Sequence, residues 1–380
     1  MNIYFVTYIS KCYEMDEDEL LYALALKRVN GVGDVIAKRL IDVCGSPKAI
    51  FKERYKLLEK INGVGNVLLK NLCNSSCLFD AEKELKIIQK NGIKPLYFLD
   101  SAYPKYLKHC IDGPFLFFQD GSFSFENRNI ISVVGTRNMT NYGRDFCYEF
   151  ISGLKDFNPT IVSGFAYGID ICAHRAALEN DLKTIGVLAH GFGSIYPNAH
   201  KKYMYEVYKK GGFLTEFWYH DGPYKESFLK RNRIVAGISE ATVVIESASR
   251  GGSLSTATIA NSYARDVFAV PGRNTDRYSM GCNNLIKNNK AALITSASDF
   301  VQMLGWKHGC ENKIVQPELF VSLSEQEQKI VDYLNLNKKQ VIDLIAIDCG
   351  ILVHKTASLM FQLEMKGFVR PLPGKFFELV

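Results

Sequence analysis

Apolar runs of β type recur along the middle of the chain, and each one stops at a short polar turn rich in glycine. The runs predict strands near 130–134, 160–163, 184–189, 213–216, 241–246, 266–270 and 291–294. Between them, apolar residues at three- and four-residue spacing predict helices near 141–153, 169–179, 199–211, 228–237, 254–264 and 297–305. Strand and helix therefore alternate. The unbroken Thr242-Val243-Val244-Ile245 is the kind of strand that is buried on both faces of a parallel sheet. The expected core is an α/β, Rossmann-like parallel sheet. The turns that end the strands are Gly135-Thr136-Arg137, Ser163-Gly164, Gly191-Phe192-Gly193, Glu246-Ser247 and Pro271-Gly272. In such a sheet these turns share the carboxyl edge, where ligands bind. Glycines and free N–H groups at helix starts suit phosphate there. The first strand lacks a following G-x-G-x-x-G, so ordinary NAD binding is not expected, and no cofactor is assigned.

Outside this core the pattern changes. Val29-Asn30-Gly31-Val32-Gly33 recurs as Ile61-Asn62-Gly63-Val64-Gly65, each copy between two helical runs. The pattern resembles a tandem helix-hairpin-helix module, which grips nucleic-acid backbones. Gly31, Gly33, Gly63 and Gly65 are its candidate backbone contacts, with Lys38, Arg39 and Lys70 close behind. Two structural turns closing a small bundle are the competing reading. Residues 78–125 form a bridge, with a helix at 81–90, a strand at 93–99 and a short apolar strand at 115–118. It is expected to pack onto the central sheet. Trp306 begins a polar linker. Ser324 then opens a helix with Glu327 three residues on, a capping-box spacing. Helices at 326–334, 340–349 and 355–366 follow, with a hairpin from 368–371 through Pro373-Gly374 to 376–380. Three helices and a hairpin describe a winged helix. Its recognition helix is only weakly basic, which favours a protein partner or autoregulation over duplex reading. The domains expected are a hairpin module at 1–77, a core with its extension at 78–305, a linker at 306–320 and a winged helix at 321–380. Met15 opens an acidic helix start, so residues 1–14 are read as an upstream extension.

Composition narrows the classes. With 380 residues, 47% hydrophobic and 23% charged, the chain is an ordinary multidomain globular protein. A net charge of +6 permits nucleic acid without requiring it, so a local cluster has to carry that case. None of the 10 cysteines forms a CxxC pair, and no metal site is expected. The apolar stretch Ile3–Val6 is too short to span a membrane, and a reduced cytoplasmic setting is the default.

The candidate chemistry lies on the glycine turns. Arg137, with Gly135, Thr136 and Thr140, can hold a phosphate bidentately. Ser163 and Gly164 suit a second phosphate, and Phe165 either stacks on a base or is buried. Lys225, Phe228, Lys230, Arg231 and Arg233 form a dense basic cluster with an interleaved aromatic, the recipe for single strands. Of Arg231 and Arg233, one is expected to bind and one to be structural. Arg250, Gly252, Ser253 and Thr256 offer further anion donors, and Asn283 and Lys287 extend the same groove. Asp170 and His174 lie four apart on one helix face, and Glu246 ends a buried strand. These carboxylates leave an enzyme reading open, but a helix-start Asp, a hydrogen-bonded His and a loop-orienting Glu are the better readings.

The core also carries a run of motifs. Val134-Gly135-Thr136-Arg137 leads to Thr140-x-Tyr142-Gly143, and Ser163-Gly164-Phe165-Ala166-Tyr167-Gly168-Ile169-Asp170 to Ala173-His174. Tyr196-Pro197 precedes His200, and Phe228 precedes Arg231-Asn232-Arg233-Ile234. Gly252-Ser253-Leu254 comes before Thr256-Ala257, and Val270-Pro271-Gly272 before Gly281-Cys282-Asn283-Asn284-Leu285-Ile286. Together these resemble the DprA family, the DNA-processing proteins of bacterial natural transformation. The likeness covers roughly residues 15–380 and is most specific from Val133 to Ile286. It implies a cytoplasmic, non-enzymatic homodimer that binds and protects single-stranded DNA and helps load the RecA recombinase. The chain departs from the family pattern at Thr215-Glu216-Phe217-Trp218, Phe228-Leu229-Lys230 and Gly251-Gly252-Ser253. The alternative on the same fold is a nucleotide N-glycosidase or phosphoribohydrolase using Glu246 or Asp170.

Overall fold

Alternation along single strands decides the architecture. In Ile130–Val134 (β3), Ile130 and Val134 pack with one apolar cluster while Ile131 and Val133 pack with another, so the strand is buried on both faces. The computed structural model describes residues 15–53, 55–72, 76–126, 129–306, 323–366, 368–372 and 376–379. The chain forms two compact units that divide after position 308.

The larger unit is built on one nine-stranded sheet. Its strands are β1 (Lys94–Tyr97), β2 (Leu116–Gly121), β3, β4 (Thr160–Ser163), β5 (Thr184–Val187), β6 (Gly212–Thr215), β7 (Ala241–Val244), β8 (Asp266–Ala269) and β9 (Ala292–Leu293). Their order is β1-β2-β6-β5-β4-β3-β7-β8-β9. From β6 to β9 all pairs are parallel, and β3 pairs with both β4 and β7. Chain direction across the sheet reverses beside β3, which is the switch point where such sheets open a crevice. The bridge extends the sheet at its other edge: β1 runs antiparallel to β2, and β2 antiparallel to β6.

Helix Lys225–Ile238 and helix Gly252–Ser262 cover the face with Val134 and Val244; helices Asn141–Gly153 and Ile169–Glu179 cover the face with Val133 and Val243. Phe150 and Phe300 are fully buried in the second cluster, and each such ring contributes about 1.5–3 kcal/mol of burial. Trp306, expected in the linker, belongs to this core: its ring lies 5.5 Å from Phe300 and 6.0 Å from Phe157. Helices Glu17–Arg28, Asp34–Cys44 and Ser76–Asn91 pack with β1 and β2 in a third cluster that includes Leu24, Leu40, Phe115 and Trp218.

The smaller unit has helices Glu325–Asn337, Ile342–Cys349 and Val353–Met365 around Ile330, Leu334, Ile345 and Leu363. The Ser324–Glu327 capping box forms as the spacing predicts. Strands β10 (Lys339–Val341), β11 (Val369–Leu372) and β12 (Phe376–Leu379) make a sheet in the order β10-β12-β11. The expected helix at 340–349 therefore starts two residues later, because Lys339–Val341 pairs antiparallel with β12. The expectations for residues 1–14, for positions 307–320 of the linker and for the Pro373-Gly374 turn lie outside the described residues. Among the described residues no single helix is long and apolar enough to cross a membrane, and no group of three or more His, Cys, Asp or Glu is placed to hold a metal.

Candidate nucleic-acid interface

The loop after β3 is fixed from below so that its tip is free. Gly135 lies so close to the helix of Ile169 that a Cβ would fall 2.5 Å from Ile169 Cγ1. Thr136 N–H donates to the Glu246 carbonyl at 2.7 Å. The buried Glu246 carboxylate receives both the Thr140 N–H (2.9 Å) and the Thr140 hydroxyl (2.6 Å). Thr140 in turn caps helix Asn141–Gly153 by accepting from Gly143 N–H. A side chain at Gly143 would collide with Glu246, at 2.2 Å from Oε2. Glu246 is thus a brace for this loop. Both its oxygens are engaged, and the enzyme reading loses its first-choice carboxylate. Thr140 is correspondingly not a free phosphate donor.

What the brace presents is Arg137. Its side chain is exposed, with the guanidinium 5.1 Å from the centre of the Phe228 ring. Phe228 also meets Tyr196 edge-on at 5.6 Å.

The loop after β4 supplies less than its residue types suggest. The Ser163 hydroxyl is fully buried and donates to the Val133 carbonyl at 2.6 Å. Phe165 adopts a left-handed φ of 57° and buries its ring among His174, His200 and Phe213. Neither lines a cleft; of the expected trio only Gly164 does. Gly164 must lack a side chain because Arg231 lies against it, with Nη1 1.6 Å from where a Cβ would be.

Arg231 forms the back wall. It is 4% exposed, and its Nη1 donates to the Val187 carbonyl at 3.0 Å. Its Nε has no hydrogen-bond partner among the described residues, leaving a donor over. Burial pulls the Arg231 pKa down and pushes the Asp170 carboxyl up, and each charge offsets the other's shift. Asp170 does not pair with His174. That imidazole bonds Thr184 Oγ1 at 2.6 Å, and burial lowers its pKa to about 3, so it stays neutral.

The basic cluster of helix Lys225–Ile238 splits in two. Lys225, Phe228 and Arg231 line the cleft with Arg137. Lys230 lies instead in a second seam of about 370 Å³, with Lys27, Arg28, Gly33 and Trp218. Arg233 is buried and ion-paired with Glu216 and with Asp34, the latter at 2.9 Å. Burial alone would lower its pKa, but Glu216 and Asp34 outweigh that and hold it charged. Arg233 lines that same seam, but its Nη1 is given to the Asp112 carbonyl and its Nη2 to Glu216 and Asp34, an arrangement that suits a structural role.

The loop after β7 completes the wall. Gly252, first residue of its helix, is exposed, with no atom within 4 Å of where a Cβ would be. Arg250 is exposed beside it and lines the cleft, as do Gly251 and Thr256. Ser253 lines it with its hydroxyl bonded to Ser247 Oγ at 2.9 Å. Asn283 does not extend the groove. Its amide clamps Gly272, donating to the carbonyl at 2.9 Å and accepting from the N–H at 3.2 Å. Lys287 is exposed at the end of helix Met280–Lys287 and does not line the cleft. Among the cleft residues that escaped the sequence reading are Arg277 and Tyr278, from the loop after β8. The signal was there: Pro271-Gly272 is followed by Arg273 and Arg277 at a strand end.

The cleft so assembled has a volume of about 660 Å³. Arg137, Lys225, Arg231, Arg250 and Arg277 face one carboxylate, Asp170, and Phe228 and Tyr278 add ring faces. Cations for phosphates with rings for bases are what a flexible polyanion needs.

The fold and this edge define a mixed α/β protein of Rossmann-like type whose carboxyl-edge loops form a cationic crevice. The chain belongs to the DNA recombination-mediator protein A family, whose model matches residues 94–305. It is 35% identical over 246 residues to a putative DNA processing protein DprA of Mycobacterium tuberculosis, across 64% of this chain and 63% of the relative. The chain thus spans just under two thirds of that relative's length. It is 39% identical over 201 residues to DNA processing protein DprA of Streptococcus pneumoniae, across 53% of this chain and 71% of the relative. The X-ray structure of DprA from Streptococcus pneumoniae superimposes with a TM-score of 0.63 at 31% identity, covering 76% of this chain and 98% of that one. DNA processing protein A from Helicobacter pylori, whose structure describes a single-stranded DNA binding mode, superimposes with a TM-score of 0.51 at 28% identity, covering 56% and 95%.

Proposed function

We propose that this chain is a single-stranded DNA-binding recombination mediator, with the strand lying in the carboxyl-edge cleft. The observation that carries it is the Arg137 guanidinium stacked at 5.1 Å on Phe228, at a mouth that also carries Lys225, Arg250 and Arg277. Arg137, Arg250 and the N–H groups at Gly164 and Gly252 receive phosphates. Phe228 and Tyr278 stack on bases, which is worth about 1–3 kcal/mol per base. The relative from Helicobacter pylori, described as binding single-stranded DNA, supports the choice of ligand. In this reading the protein works without turnover or cofactor in the cytoplasm, protects incoming DNA, hands it to the RecA recombinase and acts as a homodimer.

The flanking pieces take their parts in the same proposal. The described residues between 15 and 77 form a tandem helix-hairpin-helix, supported by positive φ at Gly31 (90°) and Gly63 (95°), a left-handed conformation that favours glycine. Asp34, at the first hairpin's helix start, is tied to Arg233 and to Phe115 N–H, so that hairpin leans on the core. Gly31, Gly33, Gly63 and Gly65 are all exposed and are the candidates for backbone contact. The unit from position 323 on is a winged helix, supported by its three helices and three-stranded sheet.

The test is equilibrium binding of a fluorescent oligothymidine against a duplex of equal length, with wild type and Arg137→Ala. Single-strand preference lost in the variant is expected. Equal duplex binding indifferent to Arg137 would move DNA contact away from this cleft.

A further inference from the structure

A second cationic–aromatic pocket sits just over the rim of the cleft, among the helices that cover the other face of the sheet. It is lined by Arg144, Arg175, Lys202, Tyr203 and His200, with a volume of about 210 Å³. The same two loops reach both places. Arg137 and Asn138 line the cleft, and Met139 lines the second pocket. Ala166 lines the cleft, and the ring of Tyr167, 45% exposed, packs edge-on against His200 at 4.9 Å. His200 in turn meets Tyr203 at 6.3 Å, and the Arg175 guanidinium lies 5.5 Å from the Tyr203 ring.

We propose that a single strand leaving the cleft crosses the rim at Tyr167 and continues onto this pocket, where Arg144, Arg175 and Lys202 hold its phosphates and Tyr167 and Tyr203 its bases. This rests on the cleft reading above and extends it into a longer footprint. The chemistry is that of a single-strand track: cations at intervals with ring faces between them. The arginines are available. Among the described residues Arg144 pairs only with its neighbour Asp145, and Arg175 with Glu179 at 3.8 Å, both on the exposed surface. Such exposed pairs are worth little, so exchanging a carboxylate for a phosphate costs little. The adjoining helix Lys201–Lys210 adds Lys201, Lys209 and Lys210 against Glu206 and against Asp181, which pairs with Lys210, so a positive excess remains on this face and favours a polyanion.

The test compares oligothymidines of about 6 and about 20 nucleotides, the shorter sized for the cleft alone. The variants are Arg175→Ala/Lys202→Ala, both exposed side chains, and Arg137→Ala in parallel. The double variant is expected to bind the short oligonucleotide as wild type does and the long one about fivefold more weakly. Its log–log salt slope on the long strand should fall by about 1.4, two phosphates' worth. Long-strand affinity and slope unchanged in the double variant would overturn the track and assign the patch to an acidic protein partner. An equal loss on the short oligonucleotide would also overturn it, since the patch would then not be a separate segment of the path. Arg137→Ala keeps the two readings apart. If it leaves short-strand binding unchanged, the cleft reading fails, whatever the double variant does on the long strand.

Discussion

Arg39 and Asn71 stand 32 positions apart, and each holds the loop of the other's repeat. The Arg39 guanidinium donates to the Asn62 carbonyl at 3.2 Å, and the Asn71 amide donates to the Asn30 carbonyl at 2.9 Å. The acceptors are also 32 apart, and the packing beneath repeats the offset: Gly31 faces Leu68, and Gly63 faces Ile36. The sequence repeat is therefore a reciprocal contact, as an approximate two-fold between the copies demands. Each loop carbonyl would otherwise rely on water alone.

Removing either donor should loosen both hairpins together. Arg39→Ala and Asn71→Ala are each expected to cost about 0.5–1.5 kcal/mol, seen as a lower denaturant midpoint with an unchanged slope. Gly63→Ala should cost at least as much through backbone strain, because its φ of 95° disfavours any side chain. Midpoints equal to wild type in all three would mean that the repeats do not brace one another.

At the cleft, charge and stacking separate by their salt dependence. Arg137→Ala should weaken single-strand binding across all sequences and reduce the salt slope by about 0.7. Phe228→Ala should cost about 1–3 kcal/mol in affinity and leave the slope alone. Titrations at several salt concentrations decide. A slope change in the Phe228 variant equal to that of the Arg137 variant would mean that the ring acts only by positioning the guanidinium.

Much of this site was legible in the sequence because it follows from periodicity. The strands and helices of the core follow from alternation and three-to-four spacing, so the carboxyl edge and its glycine turns lie where those patterns put them. Even the split of the basic cluster was encoded: Lys225, Phe228 and Arg231 advance by three residues along one helix face, and Lys230 and Arg233 along another. What the pattern lacked was the partner of each face. Arg233 meets Asp34, 199 residues earlier in the chain, and no local spacing signals that contact. Ser163 and Phe165 failed for a similar reason. Polar and aromatic residues on a ligand-binding edge look alike whether they face the cleft or the core, and here Val133 and His200 take them inward.

The Arg233 network should prove structural. Arg233→Met leaves the Glu216 and Asp34 carboxylates buried beside one another without their cation, and breaking such a pair from one side costs about 3–5 kcal/mol. Thermal unfolding should show the loss, while the folded fraction binds a short oligothymidine like wild type. A stable variant with weakened binding would return Arg233 to the DNA path.

Acid should destabilise the protein through its buried histidines. His174 is neutral when folded, its pKa lowered to about 3 by burial, with lesser contributions from His200 and Arg231. Unfolded, it takes up a proton near its ordinary value of about 6.5. Between those values the unfolded chain binds the extra proton, so this contribution is complete above about pH 6.5 and is lost as pH falls towards 3. His190 and His200, also lowered by burial, act with the same sign. Asp170 opposes them: its carboxyl is raised by burial, so the folded state holds the extra proton there once pH approaches the acid range. Urea midpoints taken from pH 7 to 4 should therefore fall steadily, His174 alone contributing a slope of up to about 1.4 kcal/mol per pH unit. His174→Gln, which keeps a partner for Thr184 but cannot titrate, should flatten that slope by up to one proton. A wild-type midpoint constant from pH 7 to 5 would contradict the buried, neutral imidazole that Thr184 holds in place.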